Sequence, residues 1–183
     1  MLCFYFWHLR IGVLTRLSKG AFYYCSNLTS ITIGNGVTSI GESAFKGCSG
    51  FTSVIIPDSV KSIGEEAFRG CSGLKIVTIG SGVISIRKFA FSGCSGLTNV
   101  TIKKGVTSIG SYAFYYCSNL TSITIPDSVT SIGNELFNGC GDSMSIDFKG
   151  TMEKWDNIEK GSSWDSNTGD YIIYCTDGQI KKQ

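Results

Sequence analysis

The sequence predicts a β/α solenoid: coils stacked into a right-handed superhelix, one parallel β-sheet along the strand side, short helical turns opposite it, and a C-terminal cap. Two observations carry that expectation. Cysteine returns every 23 residues, at Cys25, Cys48, Cys71, Cys94, Cys117 and Cys140, and a fixed period of this kind decides the whole fold. Within each period, a strand-like alternation is followed by turn residues and then by a short apolar segment. The chain also carries 23 glycines against 2 prolines. Those glycines keep phase with the repeat, so turns rather than disorder account for them.

Residues 1–16 form an irregular first coil. The apolar stretch Met1–Trp7 lacks a basic leading region and a small-residue cleavage site, so it does not read as a signal peptide. It reads as the start of a chain truncated from a longer parent, or as a cover for the end coil. One period back from Ile31 and Ile33 lie His8 and Arg10, which are poor core residues, while Leu9 and Ile11 sit one place later. The first strand is therefore expected to be slipped by one residue, which exchanges its two faces.

Residues 17–148 hold about six regular coils. Phe22, Phe45, Phe68, Phe91, Phe114 and Phe137 precede the cysteines by three positions. Leu17, Ile40, Ile63, Ile86, Ile109 and Ile132 make a second apolar column, and Leu14, Val37, Val60, Val83, Val106 and Val129 a third. One unit reads Leu28-Thr-Ser-Ile31-Thr-Ile33 as a short strand, then the turn Gly34-Asn35-Gly36. Ala44-Phe45-Lys46-Gly47-Cys48 follows as one or two helical turns. No single unit can bury both its strand and its apolar turn, so neighbouring coils must share one core.

The stretches Leu28–Ile33, Leu74–Ile79, Leu97–Ile102 and Leu120–Ile125 resemble the L-x-x-L-x-L core of the leucine-rich-repeat family. The 23-residue length and the run Ile-Gly-x-x-Ala-Phe-x-x-Cys-Ser are similar to its BspA-like subclass, over roughly residues 11–148. The ninth position departs from the family: it carries Gly36, Ser59, Gly82, Gly105 and Ser128 instead of Asn or Cys. No asparagine ladder is expected there, and another group must satisfy the turn amides.

Residues 149–183 leave the period and are expected to cap the last coil. Thr151–Gly161 reads as a short amphipathic helix with Thr151 as N-cap, turning Met152, Trp155 and Ile158 inward. Tyr171–Cys175 reads as a strand ending at the Asp177-Gly178 turn. The segment also resembles the terminal cap of BspA-like arrays, which implies that residue 183 lies near the natural end.

The cysteine column invites a disulfide or metal reading. Its members are parallel neighbours rather than facing partners, and the short ligand spacings of zinc sites are missing. Buried, reduced thiols are expected. Cys3 and Cys175 lie at opposite ends and are expected not to pair. His8 has no positioned partner for catalysis. Asp165–Asp170 departs from a calcium loop in its glycine position and lacks the closing glutamate. No catalytic residues, metal or cofactor are expected, and the chain is not read as an enzyme. The triplets at Asn27, Asn99 and Asn119 fit the glycosylation pattern, but the repeat generates them by itself.

Apolar residues make up 42%, charged residues 16%, and the net charge is +2. The basic doublets Arg87-Lys88 and Lys103-Lys104 are isolated, so nucleic acid is not an expected partner. No segment approaches the roughly 20 apolar residues of a membrane-spanning helix, so membrane insertion is not expected either. A monomer is expected. The feature that points to function is the strand face turned away from the core. Candidate ligand-binding residues on it are Thr32, Ile55, Ile76, Thr78, Asn99, Thr101, Lys103, Ser122 and Thr124. The opposite side, with Lys46, Arg69, Ser92, Tyr115 and Asn138, is expected to be solvated. The expected function is a non-catalytic interaction module that binds a protein or cell-surface ligand. A spacer or stalk in a larger protein is the alternative, and a carbohydrate- or ice-binding plane a lesser one. The resemblance implies a cell-surface or secreted location.

Overall fold

A computed structural model describes residues 8–11 and 14–182. Longer strands alternate with strands of two residues: β1 (His8–Ile11), β2 (Arg16–Leu17), β3 (Ser30–Ile33), β4 (Ser39–Ile40), β5 (Ser53–Ile56) and β6 (Ser62–Ile63). The pattern continues with β7 (Ile76–Ile79), β8 (Ser85–Ile86), β9 (Asn99–Ile102), β10 (Ser108–Ile109), β11 (Ser122–Ile125) and β12 (Ser131–Ile132). The chain closes with β13 (Ser143–Phe148), α1 (Met152–Asp156), β14 (Glu159–Lys160), β15 (Asp170–Cys175) and β16 (Gly178–Lys181).

The result is a β-solenoid of seven turns with two long sheets, not the single sheet expected. One runs β5-β7-β9-β11-β13-β15-β16, the other β2-β4-β6-β8-β10-β12-β14, both of seven strands, and β1 pairs with β3 beside them. The second sheet escapes a reading by alternation because each strand is only Ser-Ile or its equivalent. Extended backbone stacked in register pairs all the same, as Ser39↔Ser62 and Ile63↔Ile86 show. The expected slip at the N-terminus is present: Leu9 pairs with Ile31 and Ile11 with Ile33.

The expected helical turns are not helices. Alternate amides of each turn are spent on the next coil: Ser43 N–H donates to Glu65 C=O, Phe45 to Ala67 and Gly47 to Arg69, at 2.8–2.9 Å. An α-helix would need those amides within its own turn. The geometry instead places Ser43, Glu66, Phe89, Tyr112 and Glu135 in the left-handed region, with φ between 48° and 61°. Such residues cost about 1–2 kcal/mol each in isolation. Here the cross-coil hydrogen bonds and the buried pairs that follow, Ala-Phe in four coils and Leu136-Phe137 in the fifth, offset the strain.

Between these walls lies one continuous core. Phe45, Phe68, Phe91, Phe114 and Phe137 are fully buried, and their rings stack face to face at centroid separations of 5.1–6.0 Å. Each cysteine thiol donates to the carbonyl of the phenylalanine one coil back: Cys71 Sγ to Phe45 O and Cys94 Sγ to Phe68 O at 3.1 Å, Cys117 Sγ to Phe91 O at 3.3 Å. A thiol ladder therefore runs through the core beside the phenylalanine stack. In the ninth-position column, Ser59 and Ser128 donate to Val37 O and Val106 O at 2.7 Å, linking adjacent coils.

Two expectations about the core need correction. Leu14, assigned to the valine column, is mostly exposed, because the irregular first coil does not bring it inside. Cys25 is disulfide-bonded and so departs from the reduced column, whereas Cys48 through Cys140 and Cys175 are free. The expectation about Cys3, like the apolar stretch 1–7, lies outside the described residues.

Residues 149–182 form a further, longer coil. β14 pairs with β12 and β15 with β13, extending both sheets, and β16 turns back antiparallel at the edge. The helix expected over 151–161 is only five residues long. Thr151 does cap it, accepting from Lys154 N–H at 3.2 Å, but Asn157 ends it. Trp155 and Ile158 are buried as expected. The Lys160 ammonium satisfies carbonyls at and beyond this helix end, donating to those of Trp155 and Ile158 at 2.6 and 3.1 Å.

Candidate binding surface

Parallel pairing in register turns sequence spacing into columns. One outward column runs Ser53, Ile76, Asn99, Ser122, Ser145 and Ile172; the other runs Ile55, Thr78, Thr101, Thr124, Asp147 and Tyr174. Seven of the sequence-predicted residues (Ile55, Ile76, Thr78, Asn99, Thr101, Ser122 and Thr124) thus lie on one continuous surface. Thr32 stands apart on β3, opposite Arg10 of β1. Lys103 falls just past β9, in the turn, where its ammonium lies 3.4 Å from Asp58. Both partners are half exposed or more, so this ion pair contributes little to stability.

Ile55 is 69% and Ile76 52% exposed, while Thr78, Ser122 and Thr124 are half-buried. The surface is therefore hydroxyl-rich with an apolar patch toward the N-terminal coils. Sequence reasoning stopped this surface at Thr124 and missed its continuation. Asp147, Ile172 and Tyr174 extend it by two strands, because β13 and β15 join the sheet in the same register.

Two further features were missed. On the second sheet, Ser39, Ser62, Ser85, Ser108 and Ser131 make an outward serine column. Depressions of about 580 and 350 Å³ lie along it, with Glu65 and Arg87 shared by both. On the turn side, Phe89 stacks on Tyr112 at 4.8 Å with the Lys88 ammonium over both rings, at 4.9 and 5.7 Å. That side is less solvated than expected: Ser92 and Asn138 are buried because their backbone sits in the cross-coil ladder.

The titratable groups describe local pairing. The backbone N–H of Ser81, then Lys103, holds Asp58 below the usual carboxylate range. Hydrogen bonds from Lys154 and Lys104 do the same for Asp127, and one from Lys46 for Glu66. Burial pushes the Cys48 thiol up to about 11 and that of Cys140 to about 12. Among the described residues, no cluster of three or more His, Cys, Asp or Glu could hold a metal ion. In the Asp165–Asp170 loop, the Lys182 ammonium occupies the carbonyl cage. It lies 2.8 Å from both oxygens of Thr168 and 3.3 Å from Asp165 O. Among the described residues, no helix is long and apolar enough to cross a membrane.

A family model described as the BspA type leucine rich repeat region matches residues 15–143 in 6 copies. A leucine-rich repeat protein from Eubacterium ventriosum ATCC 27560 is 27% identical with a TM-score of 0.69, over 85% of this chain and 43% of that one. One from Bacteroides ovatus ATCC 8483 is 21% identical with a TM-score of 0.61, over 92% and 55%. A leucine rich cell surface protein from Faecalibacterium prausnitzii A2-165 is 22% identical with a TM-score of 0.58, over 83% and 62%. The chain spans less than two thirds of the length of each of these proteins. No curated protein matches it.

Proposed function

The chain belongs to the BspA type leucine-rich-repeat family, and from that premise we propose that it is a non-catalytic interaction module, binding a protein ligand along the strand face built by β5 to β11. One observation carries the reading. Two outward columns stay in register across successive coils, and they mix short polar side chains with the exposed Ile55 and Ile76. An extended partner could lie along them, with apolar contact at one end and hydroxyls over the rest. Non-obligate interfaces combine an apolar contact with polar surroundings, and this face offers both.

A cell-surface or secreted setting is part of the proposal. It is supported by the Faecalibacterium prausnitzii protein being described as a cell surface protein. We further propose that residues 149–183 cap the array. Their support is the antiparallel β16 at the sheet edge and Trp155 packed on Phe148 at 5.2 Å.

The test uses the immobilised chain against a panel of purified extracellular-matrix and serum proteins. Thr78→Arg and Thr101→Arg each place a long charged side chain in the middle of the face, at outward positions that the fold tolerates. Each is expected to weaken binding at least tenfold, while Arg69→Glu on the turn side leaves it unchanged. Normal binding by both threonine variants together with loss in Arg69→Glu would overturn the face assignment. Binding by no member of the panel would favour a spacer.

A further inference from the structure

At the C-terminal end of the strand face is a shallow depression of about 230 Å³, lined by Ser143, Ser145, Asp170, Ile172 and Tyr174. Its residues converge because pairing sets Ser143 beside Asp170, Ser145 beside Ile172 and Asp147 beside Tyr174. The antiparallel β16 then places Lys181 opposite Ile172 and Gln179 opposite Tyr174, on the same face. Tyr174 is 46% exposed and leaves part of its ring to solvent. Ile172 continues that apolar wall. The side chains of Asp170, Gln179 and Lys181 make no hydrogen bond or ion pair among the described residues. All three are exposed, so they offer donors and an acceptor to solvent on the same face as Tyr174.

We propose that this depression is a subsite for a single neutral pyranose ring. A sugar ring presents apolar C–H faces and a rim of hydroxyls that both donate and accept. Tyr174 and Ile172 offer the surface for such a face, since an aromatic body with a polar tip suits half-wet contacts. The Asp170 carboxylate accepts from neighbouring hydroxyls, and Ser143, Gln179 and Lys181 supply donors. Size agrees, because the depression falls below the roughly 300 Å³ at which sites for drug-sized ligands begin. A phosphate-bearing ligand would meet the negative charge of Asp170 with only Lys181 against it. An apolar peptide anchor would need deeper burial than one partly exposed ring provides. The site lies beyond the Thr78–Thr101 region and takes a different ligand class.

The experiment is an amide-resolved NMR titration of the full chain with methyl β-glucopyranoside and with cellotriose. Saturable shifts are expected at Ser143, Ser145, Ile172 and Tyr174, with weak affinity in the millimolar range. Tyr174→Ala and Asp170→Ala should each lower affinity about tenfold, as expected for loss of the stacking ring or of a charged hydrogen-bond acceptor. Tyr174→Phe keeps the ring and should bind within a few-fold of the unmodified chain, which guards against a variant that merely misfolds. No saturable shift with either sugar, shifts mapping elsewhere, or undiminished binding by Tyr174→Ala would each overturn the proposal. Such a failure leaves the protein-binding reading intact, since that one is judged at Thr78 and Thr101.

Discussion

Replacing Phe68 by alanine isolates what the stacked core contributes. Phe68 is fully buried, with the Phe45 ring at 5.1 Å on one face and the Phe91 ring at 5.2 Å on the other. Its backbone N–H donates to Ala90 O at 2.8 Å, a bond that alanine retains, so the loss falls on packing alone. Core Phe→Ala changes cost about 3–5 kcal/mol. Two aromatic neighbours, each worth about 0.5–1.5 kcal/mol beyond area, place this site near the upper end, at about 5 kcal/mol. The gap has little room to collapse, because cross-coil ladders fix the spacing on three sides. A domain of ordinary stability holds about 5–15 kcal/mol, so a third or more of the total should disappear. Urea unfolding followed by circular dichroism reads this directly, as a lower midpoint with an unchanged slope. Phe89→Ala is the control: that ring is only half-buried against Tyr112, and its loss should cost about 1 kcal/mol, near the value of one aromatic pair. Equal losses in the two variants, or a Phe68→Ala loss below that of the control, would refute the stacked-core account.

The thiol ladder gives a pH signature. Burial raises Cys48 from an ordinary 9.0 to about 11 and Cys140 to about 12, so the fold favours the neutral thiol. The stability contributed is fully present below pH 9.0 and is lost as pH rises toward the folded-state values of 11–12. The urea midpoint should therefore hold at neutral pH and fall above about 9, with part of the fall removed in Cys48→Ala/Cys140→Ala; a flat profile contradicts the reading. Deleting residues 149–183 uncovers Ile146, Phe148 and the β13 edge, and should yield an associating product on size-exclusion chromatography. A soluble monomeric truncation would remove the capping role.

What was legible in the sequence was whatever repeats with a chemical identity. Phenylalanine, cysteine and isoleucine columns marked the core because one buried environment recurs in every coil. The turn backbone was not legible. Positive φ at the end of the turn falls on a glycine column (Gly47, Gly70, Gly93 and Gly139), but at its start it falls on Ser43, Glu66, Phe89, Tyr112 and Glu135, which share neither glycine nor an Asn/Asp preference. Their conformation is imposed by bonds to the next coil, and a local reading of Ala-Phe-x-x-Cys cannot contain those bonds. The second sheet was hidden for a related reason: two residues show no periodicity, and pairing with copies 23 positions away makes them a strand. The C-terminal segment lost its period through the insertion of α1 while keeping the same pairing. The part of the candidate surface from Ile55 to Thr124 was readable. Its extension to Tyr174 was not, because it depends on β15 joining the sheet.

A repeat array supplies its own control for reading function. Inward positions are held to one solution by packing, so their identity reports the fold. Outward positions on the same strands are free to vary, and threonine or serine meets the requirement of an exposed strand. Departures from that default at outward sites therefore need a cause outside the fold. On β5 to β11, Ile55 stands in a column with Thr78, Thr101 and Thr124, and Ile76 in one with Ser53, Asn99 and Ser122. Both leave more than half their surface in water, at a cost to solubility and with no gain in core packing. They sit on neighbouring strands of one sheet, where pairing makes them diagonal neighbours within side-chain reach. Tyr174 departs in the same column as Ile55, five strands on, about 24 Å away at the usual strand spacing. The fold explains none of these three side chains, and all three lie on the strand face for which ligand binding is proposed.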